Sequence, residues 1–196
     1  PVAMLAAIPF VIIGHPSLAP KTQKELVAFA KANPGKLSIG HGGNGTAMHL
    51  TSALFNQKAG VGIQLIAYRG TAPATTDVLA GHVPLAVLDI PASKQLIGDG
   101  KLKALAVTGD KRSAVLPDVP TLSEAGVKGA DVFSWQGVAA PKGLPKDVKD
   151  KLHAAMVKSL QDPEVVKNLN DQGIEVVANT PEQFTQFLQQ ELARWK

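Results

Sequence analysis

The chain has 196 residues, 45% of them hydrophobic and 18% charged, so it can bury a core and is not a disordered chain. Its net charge of +4 comes from scattered lysines, without the basic stripe and aromatic platforms of a nucleic-acid footprint. With no cysteine, it can form no disulfide, thiolate or Cys-ligated zinc.

The opening PVAMLAAIPFVIIGHP is apolar, too short to span a bilayer, and lacks a basic n-region. It begins without methionine and reads as a mature or excised piece of something longer. Ala3 to Ile13 is a β-branched run broken by Pro9, which predicts two strand pieces with a bend. Leu26, Val27, Phe29 and Ala30 at helical spacing predict a helix over Lys21 to Asn33, stopped by Pro34-Gly35. Strand Leu37 to Ile39 follows, then the glycine loop GHGGNG and a helix from Thr46 to about Gln57. Strand Ile63 to Ala67, the loop YRGTAP and a helix Ala74 to Ala80 come next. Strand Val83 to Leu88 ends at Asp89, a short helix runs Pro91 to Ile97, and Leu102 to Thr108 is a strand. Strands alternating with helices predict an α/β fold with a parallel, doubly covered sheet.

Beyond Thr108 the chain turns rich in Pro, Asp, Ser and Gly, with one or two helical turns around Thr121 to Ala125. Val132 to Ala140 reads as a strand. Pro145 to Gln161 reads as an amphipathic helix with Val148, Leu152, Ala155, Met156 and Leu160 on one face. A helix from Pro163 to Asp171, a strand Ile174 to Val177 and a helix Pro181 to Lys196 complete the chain, the last capped by Thr180. The C-terminal helices have apolar faces, and too few strands follow Ala140 to cover them.

Polar residues gather in the loops after three successive strands: His41 to His49, Tyr68 to Thr75, and Asp89 to Ser93. In open α/β sheets the ligand crevice lies at the carboxyl ends of strands, so these loops are expected to converge. The glycines before Thr46 either simply close an α/β turn or let free N–H groups of Gly45 and Thr46 meet an anion at a helix start. Gly70, Thr71 and Pro73 offer a second such terminus. Catalytic constellations are weak. There is no G-x-S-x-G elbow and no phosphate-loop motif, and the dinucleotide-like glycine pattern lacks its acidic partner. His41 and His49 lack metal-ligand spacing, and Asp89 reads as a strand-end hydrogen-bonding group more readily than a general base.

Five ordered stretches carry a family resemblance: KTQKELVAFAKANPGKLSIGHGGNGTAMHL, YRGTAPATTDVLAGHVPLAVLD, GKLKALAVTGDKRSAVLPDVPTLSEAG, SWQGVAAPKGLP and DPEVVKNLNDQGIEVVANTPEQF. Together they resemble the Bug (TctC-like) solute receptors of bacterial tripartite tricarboxylate transporters. The resemblance implies a two-lobed, type II periplasmic-binding-protein architecture with mostly parallel sheets, the first lobe incomplete here. Lobe two is expected at 10–134, and the remainder of lobe one at 1–9 and 135–196. It implies a periplasmic receptor, not an enzyme, without metal or organic cofactor and without nucleic acid as partner. Such a receptor captures a small di- or tricarboxylic, aromatic or amino acid and hands it to membrane permease subunits.

The family's ligand-contacting glycine loop falls on Gly43, Asn44, Gly45, Thr46 and His49. Its Tyr-Lys/Arg-Gly-x-x-Pro loop falls on Tyr68, Arg69, Gly70, Thr71, Ala72, Pro73 and Ala74, and its strand-end aspartate on Asp89. The family usually has serine or another small residue where His41 stands. The family's N-terminal segment is absent, so the unfinished lobe is expected to bind that segment or to self-associate. A rival reading is the effector-binding domain of a LysR-like transcription regulator, which shares the two-lobed architecture.

Overall fold

Where two strand pieces with a bend are expected, one continuous strand forms, β1 (Ala3–Gly14). Pro9 does not interrupt it because it sits at the changeover between ladders. Ala6 and Ala7 pair with β7 (Glu175–Val176), whereas Phe10 to Gly14 pair with β4 (Leu85–Asp89). A proline has no N–H to give a ladder, so such a changeover suits it.

The computed structural model describes residues 1–195. The chain divides into two units, Pro9–Ser134 and the combination of Pro1–Ile8 with Trp135–Lys196. In the first unit the strands β2 (Ser38–His41), β3 (Gln64–Ala67) and β5 (Lys103–Val107) join β4 and β1 in the order β3-β2-β4-β1-β5. β2 runs parallel to β3 and β4, while β1 runs antiparallel to β4 and β5. One strand of the five thus opposes the rest, which alternation of strands and helices could not reveal.

The central strands β1 and β4 are buried on both faces here, so they are continuous apolar runs rather than alternating ones. Phe10, Ile12, Leu85 and Val87 face α1 (Gln23–Ala32) and α2 (Ala47–Ala59) through Leu26 and Phe55. Val11, Ile13, Ala86 and Leu88 face α3 (Thr71–Leu79) and α4 (Ile90–Gly98) through Val78 and Ile90. Each of the Val, Leu, Ile and Phe side chains among these, fully buried, contributes about 1.5–3 kcal/mol. Of the one or two helical turns expected around Thr121 to Ala125, one forms, with the Ala125 N–H on the Thr121 carbonyl at 3.0 Å. Thr121 also bridges to Val107, tying the loop to β5.

The second unit holds most of β6 (Phe133–Val138), then α5 (Lys146–Leu160), α6 (Pro163–Asp171), β7 and α7 (Pro181–Arg194). β6 and β7 each pair with β1. Local caps set the helix starts as the sequence predicts. Asp162 accepts the N–H groups of Glu164 and Val165, and Thr180 with Gln183 forms a reciprocal capping box. Only Phe184 is buried on these three helices. Its ring sits 5.7 Å from that of Trp135 and directly over Gly137, where a Cβ would come within 2.3 Å of it. The expected end of α7 at Lys196 lies outside the described residues. Among those described, no helix is long and apolar enough to cross a membrane.

Candidate functional site

In the unit Pro9–Ser134 the strand order places β2 between β3 and β4, so the chain leaves β2 to one side, returns, and crosses to the other. α2 covers one face of the sheet and α3 the opposite face, yet their first turns meet at its edge. A reversal of strand order of this kind is the usual place for a ligand in such folds.

Backbone and side-chain contacts weld the loops together. The Tyr68 N–H donates to the His41 carbonyl at 2.9 Å, and the Gly70 N–H to the Gly42 carbonyl at 3.2 Å. Met48 in the first turn of α2 brings its Sδ to 3.9 Å from Thr71 Oγ1 in the first turn of α3. The Thr71 hydroxyl also reaches the carboxylate of Asp89, whose Oδ1 accepts the Ala92 N–H at 3.2 Å and caps α4. All three strand-end loops singled out in the sequence therefore converge. Asn44 is exposed at the tip of the first, Arg69 on the second.

The N–H groups expected to face an anion are differently disposed. The Gly45 N–H, at a backbone φ of +78° that suits glycine, donates to His49 Nδ1 at 3.2 Å. The Thr46 N–H goes to the Gly43 carbonyl at 3.3 Å, and so does the Thr46 hydroxyl at 2.7 Å. That hydroxyl donates inward, to the turn, and accepts the His49 N–H at 3.3 Å. The reason is local: a threonine N-cap satisfies its own helix and turn first. At the starts of these two helices the N–H groups of Ala47 and Met48 in α2 and of Thr71 and Ala72 in α3 are left open. Pro73 lies in the first turn of α3, which begins at Thr71 rather than at Ala74, and Ala74 is buried. These helix starts carry positive partial charge and suit a carboxylate.

Tyr68 turns away from that role. Its hydroxyl donates to Asp77 Oδ2 at 2.7 Å, and its ring lies under Gly40 on the α3 face of the sheet. Burial and the Asp77 carboxylate push its phenol up to about 12, so it stays protonated and braces α3. Burial likewise raises the Asp89 carboxyl above the ordinary range, opposed by its bonds from the Ala92 N–H and the Thr71 hydroxyl.

Sequence spacing gave no hint that His41 and His49 form a pair. Their ring centroids are 4.7 Å apart, tilted by 35°. His41 ends β2 on the face that α2 covers, and the turn of the glycine loop brings His49 back over it. His41 is 1% exposed, and its Nδ1 lies 3.3 Å from the Gly43 N–H and 3.2 Å from the Gly43 carbonyl. Burial first, then the neighbouring His49, lowers its proton affinity. The signal that could have paired them is a glycine-rich turn with one histidine before it and another in the first turn of the following helix.

The chain matches the model of the tripartite tricarboxylate transporter family receptor over residues 1–196. It is 34% identical over 195 residues to protein BugT of Bordetella pertussis, covering 100% of this chain and 60% of that one. Among solved structures, R. palustris Rpa4515 with adipate superposes with a TM-score of 0.91 at 33% identity, covering 100% of this chain and 65% of that one. MatC from Rhodopseudomonas palustris with bound malate gives 0.85 at 30%, covering 100% of this chain and 67% of that one. The chain thus spans about three fifths of the length of curated relatives such as BugT. With the match running from one end of the chain to the other, it belongs to the tripartite tricarboxylate transporter receptor family.

Proposed function

We propose that this chain is the ligand-capturing part of a periplasmic receptor that binds a small carboxylate reversibly and delivers it to membrane permease subunits. The observation that carries this is the meeting of α2 and α3 at the strand-order reversal, with four open N–H groups on Ala47, Met48, Thr71 and Ala72. Gly43, Asn44, Gly45, Gly70 and Pro73 shape the rim, His49 and Thr46 hold the first loop, and Asp89 with Thr71 closes the floor. Adipate and malate, bound in the two structural relatives, set the size of ligand to try first. The open apolar faces of α5 and α6 belong to the same proposal: the additional length of a whole receptor would cover them, and this chain alone would tend to self-associate.

Calorimetry with adipate, malate and a panel of aromatic and amino acids tests the reading. Reversible binding with one ligand per chain, and the acid recovered unchanged, is the expected result. Thr71→Ala should weaken binding by about 1 kcal/mol through the loosened Asp89 contact. Absence of binding to every acid of the panel, or turnover of any of them, would overturn it.

A further inference from the structure

The His41–His49 pair occupies the backbone that the loop would otherwise offer a ligand. For the Gly45 N–H to donate to His49 Nδ1, that nitrogen must carry no proton, so the neutral ring holds its proton on Nε2. A second proton can enter only at Nδ1. Its arrival breaks the Gly45 bond, frees the Gly45 N–H at the mouth of α2, and puts a full positive charge in the first turn of that helix. A carboxylate arriving there would gain both the released donor and the charge.

His41 lies beneath this ring with almost no exposure. Two imidazolium rings at 4.7 Å would repel, so the pair takes up one proton, not two. Other titratable groups on the surrounding elements leave that proton to the pair. Tyr68 from β3 is on the opposite face and tied to Asp77 of α3, which also meets His82. Arg69 is exposed, and Asp89 at the end of β4 is engaged by Ala92 and Thr71. Among these groups, His49 is the one whose charge acts on His41.

We propose that carboxylate capture at this loop is linked to uptake of one proton by the His41–His49 pair, with His41 as the positioning residue that holds the His49 ring against Gly45. The proposal rests on the receptor reading above. It makes binding tighten as pH falls, by up to about tenfold per unit through the histidine range.

The test is calorimetric titration of the full chain with adipate and with malate from about pH 8 to about pH 6, where both acids stay ionised. The wild-type dissociation constant should fall several-fold across this span. In His49→Gln, whose amide oxygen can still accept from Gly45 but does not titrate, the dependence should flatten. His82→Gln should keep the wild-type slope. Ring resonances of His49 followed by NMR should titrate at higher pH with adipate present than without it, and His41→Ser should move that midpoint. A wild-type dissociation constant that stays flat with pH overturns the linkage while leaving the receptor reading intact. So does a slope that survives in His49→Gln. An unmoved midpoint in His41→Ser overturns the positioning role. If neither these nor other carboxylates bind at any pH, the receptor reading falls and the linkage with it.

Discussion

The two units use the same kind of amphipathic helix to opposite effect. In Pro9–Ser134, α1 and α2 press Leu26 and Phe55 to zero exposure against the sheet. In the unit containing Trp135–Lys196, α5 and α6 have no buried residue, and every exposed large hydrophobic side chain among the described residues lies there: Val148, Leu152, Val165, Val177, Leu192 and Trp195. A periodic apolar stripe therefore states that a helix needs cover, without stating which segment supplies it. In the first unit the sheet supplies it. In the second, Leu5 and α5 leave an apolar groove of about 350 Å³ lined by Leu152, Ala155, Met156 and Leu160.

The largest expected effect exploits this contrast. Phe55→Ala should cost about 3–5 kcal/mol, because a fully buried ring leaves a cavity that the sheet cannot fill. Leu152→Ala, at 40% exposure, should stay within about 0.5 kcal/mol in this chain. Denaturant unfolding followed by circular dichroism measures both. A loss of more than about 2 kcal/mol for Leu152→Ala would mean that α5 is covered after all, and the contrast between the units would collapse.

A smaller effect probes the one tight cluster of the second unit. Gly137→Ala places a methyl group against the Phe184 ring, so Phe184 must shift within its packing with Trp135 and Phe187. Overpacking of this kind costs about 1–3 kcal/mol. Both tryptophans, Trp135 and Trp195, belong to this unit, so intrinsic fluorescence reports it directly. An unchanged fluorescence-detected midpoint would show that Phe184 does not anchor the unit.

Much of the fold was legible because its signals are local. Thr180, Asp162 and Thr46 mark helix starts by capping chemistry, and Gly60, at a φ of +63°, closes α2. The unbroken β1 was not legible, because whether Pro9 breaks a strand depends on which partners lie on either side of it. The convergence of the Thr46, Thr71 and Asp89 loops followed from the rule for strand ends, but the fate of their N–H groups did not. The sequence offers the N–H groups of Gly45 and Thr46 to an anion, whereas His49 and the Gly43 carbonyl reach them first. The distance that decides this is through space: the turn brings a residue eight positions later onto His41.

The smallest expected effect concerns Tyr68, whose hydroxyl braces α3. Tyr68→Phe should cost about 1 kcal/mol, since the lost bond to Asp77 lies at a partly exposed carboxylate. Its pH dependence has a definite sign at each end. The Tyr68 hydroxyl, and after it His82, lower the Asp77 carboxyl below its ordinary value, so this stabilisation is present above the unfolded carboxylate range and is lost as pH falls through the folded value. Tyr68 itself is raised to about 12, so its contribution is full below the ordinary phenol value and disappears as pH climbs towards that figure. Unfolding free energy against pH should therefore drop at both extremes in the wild type, and both drops should shrink in Tyr68→Phe. Were the acid-side drop to keep its full size in that variant, the bond to Asp77 would contribute nothing to stability, and α3 would owe its placement to the packing of Ala74 and Val78 and to the contacts of Gly70 and Thr71.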